Sequence, residues 1–207
     1  MATMQVRPVT LEGEAVRLEP LALEHVEALY SAGRSDETWR YMASNAGAAP
    51  EKMRAWVVAA LAIRDAGTAL PFATVARASG RVVGATRLFD ISLYDRHAEI
   101  GHTWLAEEAR RTRINTECKY LLLRHAFEEW GTVRVQLKTD RRNERSQHAI
   151  ERLGAQREGV LRKHMLLESG SFRDTVMYSI TDDEWPAVKA GLEAKLARAY
   201  GGAGGER

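Results

Sequence analysis

Apolar and polar positions along the chain change period several times, and each change marks an element. Residues 16–21 (VRLEPL) alternate and run into Pro20, which predicts an edge strand. Residues 23–31 and 50–66 switch to three–four spacing. In the second run Met53, Trp56, Val57, Ala60 and Leu61 form one stripe, and Pro50 takes a first-turn position that tolerates it. Residues 72–77 and 81–91 are extended runs joined by Ala78-Ser79-Gly80, a tight hairpin signal, and His97–Leu105 is a third. Helical spacing returns over 115–130 and stops at Gly131. Residues 133–139 (VRVQLKT) alternate strictly, as a half-buried strand does. Ser146, Ala149, Ile150 and Leu153 share one helix face ahead of Gly154. Residues 160–168 and 172–180 form a last antiparallel pair about Ser169-Gly170-Ser171. A helix over 182–200 is expected to open on Thr181, with Glu184 three residues on.

Strands paired by short turns, interrupted by two helical crossovers, predict an α/β (α+β) fold with a mixed, mostly antiparallel sheet. A chain of 207 residues with 45% apolar content suits one domain, over 1–200, with a flexible tail at 201–207. The net charge of +2 gives no polyelectrolyte character, so nucleic-acid binding is not expected and would have to rest on a local cluster. The single cysteine, Cys118, rules out an internal disulfide, and the six histidines lack zinc-ligand spacing, so no metal is expected. No 18-residue apolar stretch and no secretory segment stand in the sequence; a cytoplasmic protein without a membrane partner is expected.

Two stretches carry candidate chemistry. Residues 107–117 (EEARRTRINTE) join a strand to a helix. Such a joint turns unpaired amides and the positive end of a helix dipole towards an anion, and Arg110, Arg111 and Arg113 add cations suited to a phosphate. The plainer reading is a solvated basic loop with an Asn or Thr cap. In residues 139–155, Asn143 is a natural helix cap and Ser146 takes the third helical position. Either they only start the helix, or the amide and hydroxyl face a ligand lying across two strand ends.

Arg110-x-x-Arg113-x-Asn115 followed by Thr116-Glu117 resembles the pyrophosphate loop of the GNAT acetyltransferases, usually Gln/Arg-x-x-Gly-x-Gly/Ala. Asn143-x-x-Ser146 with Leu153-Gly154-Ala155 resembles that superfamily's second conserved segment. VRLEPL, GRVVGAT at 80–86, AEIGHTW at 98–104, INTECKYLLLRHAF at 114–127, EGVLRKH at 158–164 and RDTVMYSI at 173–180 resemble the ribosomal-protein N-terminal acetyltransferase branch, in the right order.

The resemblance implies a GNAT-type sheet in which a splayed parallel strand pair holds acetyl-CoA, these being the strand ending at Leu105 and the strand 133–139. It implies that the backbone of Thr103, Trp104 and Leu105 pairs with the pantetheine arm. Arg110, Arg111, Thr112, Arg113, Ile114, Asn115 and Thr116 would hold the pyrophosphate, and Asn143 would touch the pantetheine. Glu99 would take the proton of an attacking amine through water, and Ser146 would protonate the leaving thiolate. Strand alternation sets Glu99 with His97, Gly101 and Thr103, and His102 on the opposite face with Ala98, Ile100 and Trp104. Arg111, Arg113 and Asn115 stand where many relatives have glycine; any position of the loop that needs a positive φ is best borne by Asn115, with the two arginine side chains turned away from the anion or reaching round to it. Tyr178 and His164 lie on strands that line the acceptor side in the family, with packing roles expected. The acceptor is implied to be a primary amine, on a protein N-terminus or a small molecule. Other readings are a non-catalytic acyl-CoA sensor and a nucleic-acid module on Arg141, Arg142 and Arg145. A homodimer is left open.

Overall fold

The computed structural model describes residues 4–201, so the tail expected over 201–207 lies, apart from Gly201, outside the described residues. Eight strands form one sheet. They are β1 (Leu11–Glu12), β2 (Val16–Pro20), β3 (Ala69–Ala76), β4 (Arg81–Ser92), β5 (His97–Leu105), β6 (Arg134–Asp140), β7 (Gln156–Leu166) and β8 (Phe172–Thr181), in the order β1-β2-β3-β4-β5-β6-β8-β7. Every neighbouring pair is antiparallel except β5–β6. A parallel pair needs a crossover, and helix α4 (Arg113–Arg124) supplies it.

Helices cover both faces. On one, α1 (Val26–Ala32), the short α2 (Asp36–Trp39) and α3 (Pro50–Asp65) bury Leu29, Trp39, Met53 and Val57 against Ala73, Ala85 and Trp104. On the other, α4, α5 (Glu144–Glu151) and α6 (Trp185–Gly201) close over Leu88, Ala98, Ile100, Val135, Leu137 and Val176. The predicted elements are present with shifted ends. β1, which has no periodic signal in its two residues, covers β2 and takes the edge position from it. The helix expected from Asn115 starts at Arg113, because Thr112 Oγ1 accepts the Ile114 N–H (3.2 Å), and it runs into a π turn over His125–Glu129. The last helix starts at Trp185, with Glu184 Oε2 accepting the Thr181 N–H (2.9 Å).

Two irregularities of β5 govern the middle of the sheet. Its parallel register with β6 lasts from His97↔Arg134 to Ile100↔Leu137 and then ends, while β5 continues beside β4 and β6 beside β8. Against β4, Arg87 pairs with Gly101 but Ala85 with Trp104, so two residues of β5 oppose one of β4, and His102 takes φ 49°. That is a β-bulge, which reverses the facing of every side chain beyond it.

Helix α4 is tied to the far edge of the sheet by one carboxylate. Glu117, buried, accepts the backbone N–H groups of Glu14, Ala15 and Val16 at 2.9, 2.7 and 2.8 Å. Gly13 leaves room for it, since a Cβ there would stand 2.5 Å from the Glu117 carboxyl carbon. Buried amides without an acceptor cost about 1–3 kcal/mol each. Glu117→Ala is therefore expected to destabilise the fold by about 3 kcal/mol or more, read as a lower urea midpoint with an unchanged slope.

Candidate active site

Where β5 and β6 part, a cleft of about 590 Å³ opens between the strand ends. Its floor and walls take in Glu99, Thr103, Trp104, Leu105, Lys138 and Thr139, and its mouth is ringed by Arg110, Arg111, Thr112, Asn115, Thr116, Asn143, Arg145 and Ser146. Eleven of the thirteen residues predicted from sequence thus come together around one cavity. Arg113 and Ile114 do not line it: Arg113 reaches away from the mouth to Glu14 (3.2 Å) and Glu117 (3.5 Å), and Ile114 packs on the core.

The mouth is built by two helix starts. Thr112 caps α4 and Asn143 caps α5, its Oδ1 accepting the Ser146 N–H at 3.1 Å, so Asn143 both starts its helix and faces the cavity. The remaining first-turn amides of each helix have no carbonyl partner within it. Arg110 is held in place, Nε donating to Leu105 O (3.0 Å) and Nη2 to Thr38 Oγ1. Contrary to the expectation for Asn115, the left-handed residue of the loop is Arg111, at φ 59°, while Asn115 sits inside α4. The cap comes three residues earlier than Asn115, so the chain must turn before Thr112, and Arg111 stands at that turn. Of the basic cluster considered for nucleic acid, Arg142 is bound to Asp140 (2.7 Å) and Arg141 stands 3.8 Å from Asp174; only Arg145 lines the cavity.

At the fork Glu99 is 1% exposed. Its Oε2 receives Lys138 Nζ at 3.0 Å and Gln136 Nε2 at 3.1 Å, while Oε1 is buried with no hydrogen-bond partner. Burial pushes the carboxyl above its ordinary range, against the opposing pull of Lys138 and Gln136. The bulge corrects the alternation argument for His102. Phe89 pairs in register with Glu99 and so faces the same side; the His102 ring meets Phe89 edge-on at 5.0 Å, and Lys138 Nζ lies 5.4 Å over that ring. His102 therefore stands on the side of Glu99. Burial first, and then the charges of Arg87, Lys138 and Arg173, push its imidazole down to about 3, so it is neutral at physiological pH. Trp104 follows the same reversal and packs on Trp39 (5.1 Å) and Trp56 (6.4 Å) instead of joining Ile100.

Tyr178 is fully buried on the other face, its hydroxyl donating to Glu151 at 3.1 Å. His164 is exposed, with Nδ1 3.2 Å from Thr175 Oγ1. The hairpin between β7 and β8 is clasped to the segment after α2: Glu168 N donates to Ala43 O (3.0 Å), and its carboxylate takes Asn45 N (3.1 Å) and Lys52 Nζ (2.9 Å). Among the described residues no group of three His, Cys, Asp or Glu side chains is arranged to hold a metal ion, and no helix is long and apolar enough to cross a membrane.

Sequence reasoning passed over Arg87, Lys119, Lys138 and Arg173. The available signal was a charge inside an apolar run, as in CKYLLL for Lys119. That side chain is 6% exposed and lines the cavity; its Nζ donates to Thr103 Oγ1 (2.6 Å), and no carboxylate among the described residues pairs with it.

A model of the acetyltransferase (GNAT) domain matches residues 15–156 of this chain. The Bacillus subtilis (strain 168) protein YdaF, a ribosomal N-acetyltransferase by name, is 34% identical over 110 residues, which span 53% of this chain and 59% of that protein. An acetyltransferase by name from T. thermophilus superposes with a TM-score of 0.82 at 41% identity, covering 92% of this chain and 98% of that one. Mycobacterium smegmatis RimJ, solved with CoA-disulfide, shares the fold at 22% identity, with a TM-score of 0.79 over 92% of this chain and 96% of its own.

Burial pushes Lys119 down to about 8 from 10.5. The unfolded chain therefore holds its proton over a window in which the folded protein has released it, and stability rises with pH between those values. Below the window the buried ammonium costs about 3 kcal/mol. Lys119→Met is expected to unfold at higher urea than the parent at pH 7, with the gap narrowing towards pH 10.5. A gap that ignores pH would show that burial of the charge is not its cause.

Proposed function

Because the chain belongs to the GNAT acetyltransferase family, we propose that it moves an acetyl group from acetyl-CoA to a primary amine by direct attack. The observation that carries this reading is the fork itself: a buried carboxylate with one unpartnered oxygen, set at the closed end of a cleft whose mouth is two helix starts and a set of arginines. The donor set fits a phosphorylated thioester. Amides of the first turn of α4 with Arg110, Arg111 and Arg145 suit the phosphates. The edge of β5 beyond Ile100, which β6 leaves unpaired, suits an amide-bearing arm lying alongside as an added strand. Acetyl-CoA supplies the activated acetyl group; the rest is done by this chain.

In this reading Glu99 takes the proton of the incoming ammonium, directly or through water, with Oε1 free to receive it. Lys138 and Gln136 hold the other oxygen and keep the carboxylate aimed. Burial raises its proton affinity towards the range in which a carboxylate works as a base near neutral pH. His102, pushed down to about 3, stays an uncharged neighbour. Ser146, at the start of α5, lies on the cavity wall and is assigned the proton delivered to the leaving sulfur. Arg113, committed to Glu14 and Glu117, acts by fixing α4. The family name of YdaF supports a protein N-terminus as the acceptor.

The test is release of CoA thiol from acetyl-CoA with a panel of N-terminal peptides and small amines. Acetyl-CoA at a hundred times its dissociation constant is expected to stabilise the fold by about 2.7 kcal/mol. An unmoved melting temperature at millimolar acetyl-CoA would remove the reading. Glu99→Gln keeps the shape and, with its amide oxygen in the Oε2 position, the acceptor for Lys138 and Gln136, so acetyl-CoA binding should survive while turnover falls about 10²–10⁴-fold. The deficit should shrink as pH approaches the acceptor's own pKa, where free amine no longer needs a base. Equal pH–rate profiles for the two proteins would strip Glu99 of the role.

A further inference from the structure

The acceptor side of the cleft holds more positive charge than its own carboxylates balance. Arg173 lines the cavity from β8 and is 7% exposed; its guanidinium makes one hydrogen bond, from Nε to Thr175 Oγ1 (3.0 Å). Arg87 on β4 does not line the cavity but acts on His102 beside it; 3% exposed, it stacks 4.8 Å over the Trp56 ring, and its buried Nε has no acceptor. Neither arginine has a carboxylate within ion-pair distance among the described residues. Lys138 is the third cation, and of the three it alone is within ion-pair distance of Glu99, whose charge reaches Arg173 only at longer range.

The other acids nearby do not make up the difference. Asp140 is clamped by Arg142 and acts on Arg173 only at longer range, outside ion-pair distance, and Asp90 is exposed and takes a hydrogen bond from Gln136. Glu37 and Glu107 belong to the mouth, where both act on Arg110. The histidine rings respond to this charge: Lys138 and Arg173 press the proton affinity of both His102 and His164 downwards, beside the larger effect of burial. A buried unpaired charge is costly, and a fork-shaped guanidinium with its terminal nitrogens uncommitted is built for a carboxylate.

We propose that the acceptor carries a carboxylate close to its reacting amine, and that Arg173, seconded by Lys138, binds it. This rests on the acetyl-transfer reading for the meaning of the site. The same chemistry is offered by an acidic first residue of a peptide or by the α-carboxylate of a free amino acid.

Matched pairs separate those sources: peptides beginning Asp against Asn and Glu against Gln, and a free amino acid against its amide. For each, kcat and KM are measured with acetyl-CoA on the parent, Arg173→Met and Arg173→Lys. In parallel, calorimetry measures binding of the N-acetylated peptides, which needs no turnover. The carboxylate member of at least one pair is expected to be preferred tenfold or more, mainly through KM. Arg173→Met should erase that preference, Arg173→Lys should keep part of it, and acetyl-CoA affinity should hold in both. Equal kinetics within every pair in the parent, or a preference untouched by Arg173→Met, would overturn the proposal. Acetylation without charge preference would sink it and leave the transferase reading standing. Arg173-dependent binding of the acidic peptides without any acetylation would do the reverse, and the absence of both would end both.

Discussion

The parting of β5 from β6 is the constraint on which the rest depends. Each strand has a second neighbour, β4 for one and β8 for the other, and each stays with that neighbour to its end. The two halves of the sheet share four rungs and then diverge. Divergence exposes backbone groups that a closed sheet would have paired, and buried groups of that kind demand a partner. It also sets two helix starts, those of α4 and α5, at the two lips of one opening. The anion-seeking mouth and the hydrogen-bonding wall thus have a single origin, which is why eleven residues scattered over three stretches of sequence meet there.

The cavity is bought with instability. Lys119, Arg87 and Arg173 are charges in places where an apolar side chain would pack more comfortably, and Glu99 leaves one oxygen unsatisfied. Such groups concentrate where a site must act on a ligand. The compensation lies elsewhere, in the Glu117 carboxylate with its three amides, in the Arg134–Glu158 pair at the far end of β6, and in the tryptophan cluster under α3. Rigid supports around the fork are what hold Glu99 and its neighbours in place.

Much of this was legible in the sequence because period reports burial. The change from alternation to helical spacing located β2 to β8 and each long helix, though not the two-residue β1, and β5 was bounded correctly at both ends. Legibility failed where a single residue changes the rule. Alternation assigned His102 away from Glu99, and one residue inserted at the bulge reversed it; histidine in a strand carries no mark that φ will be positive. The loop failed in the same way, since Asn115 is the residue type that tolerates a left-handed turn but Thr112 had already capped the helix, and Arg111 took the strain. Arg113 matched a motif yet went to acids on the N-terminal hairpin and on its own helix, and the hairpin's proximity depends on the whole sheet. The cations Lys138 and Arg173 reach the cavity from β6 and β8, and no spacing along the chain links them.

The clasp between the β7–β8 hairpin and the segment after α2 has a different significance. Glu168 joins a turn that nothing else in the sheet requires to a loop that carries no core strand. The fork of β5 and β6 is locked into two cores, whereas the β7–β8 turn is hung on a few contacts between surface segments. Lengthening or shortening either segment would resize the entrance without disturbing the fork behind it. The fork and the entrance are thus held by separate parts of the chain, and selection can revise one while inheriting the other intact.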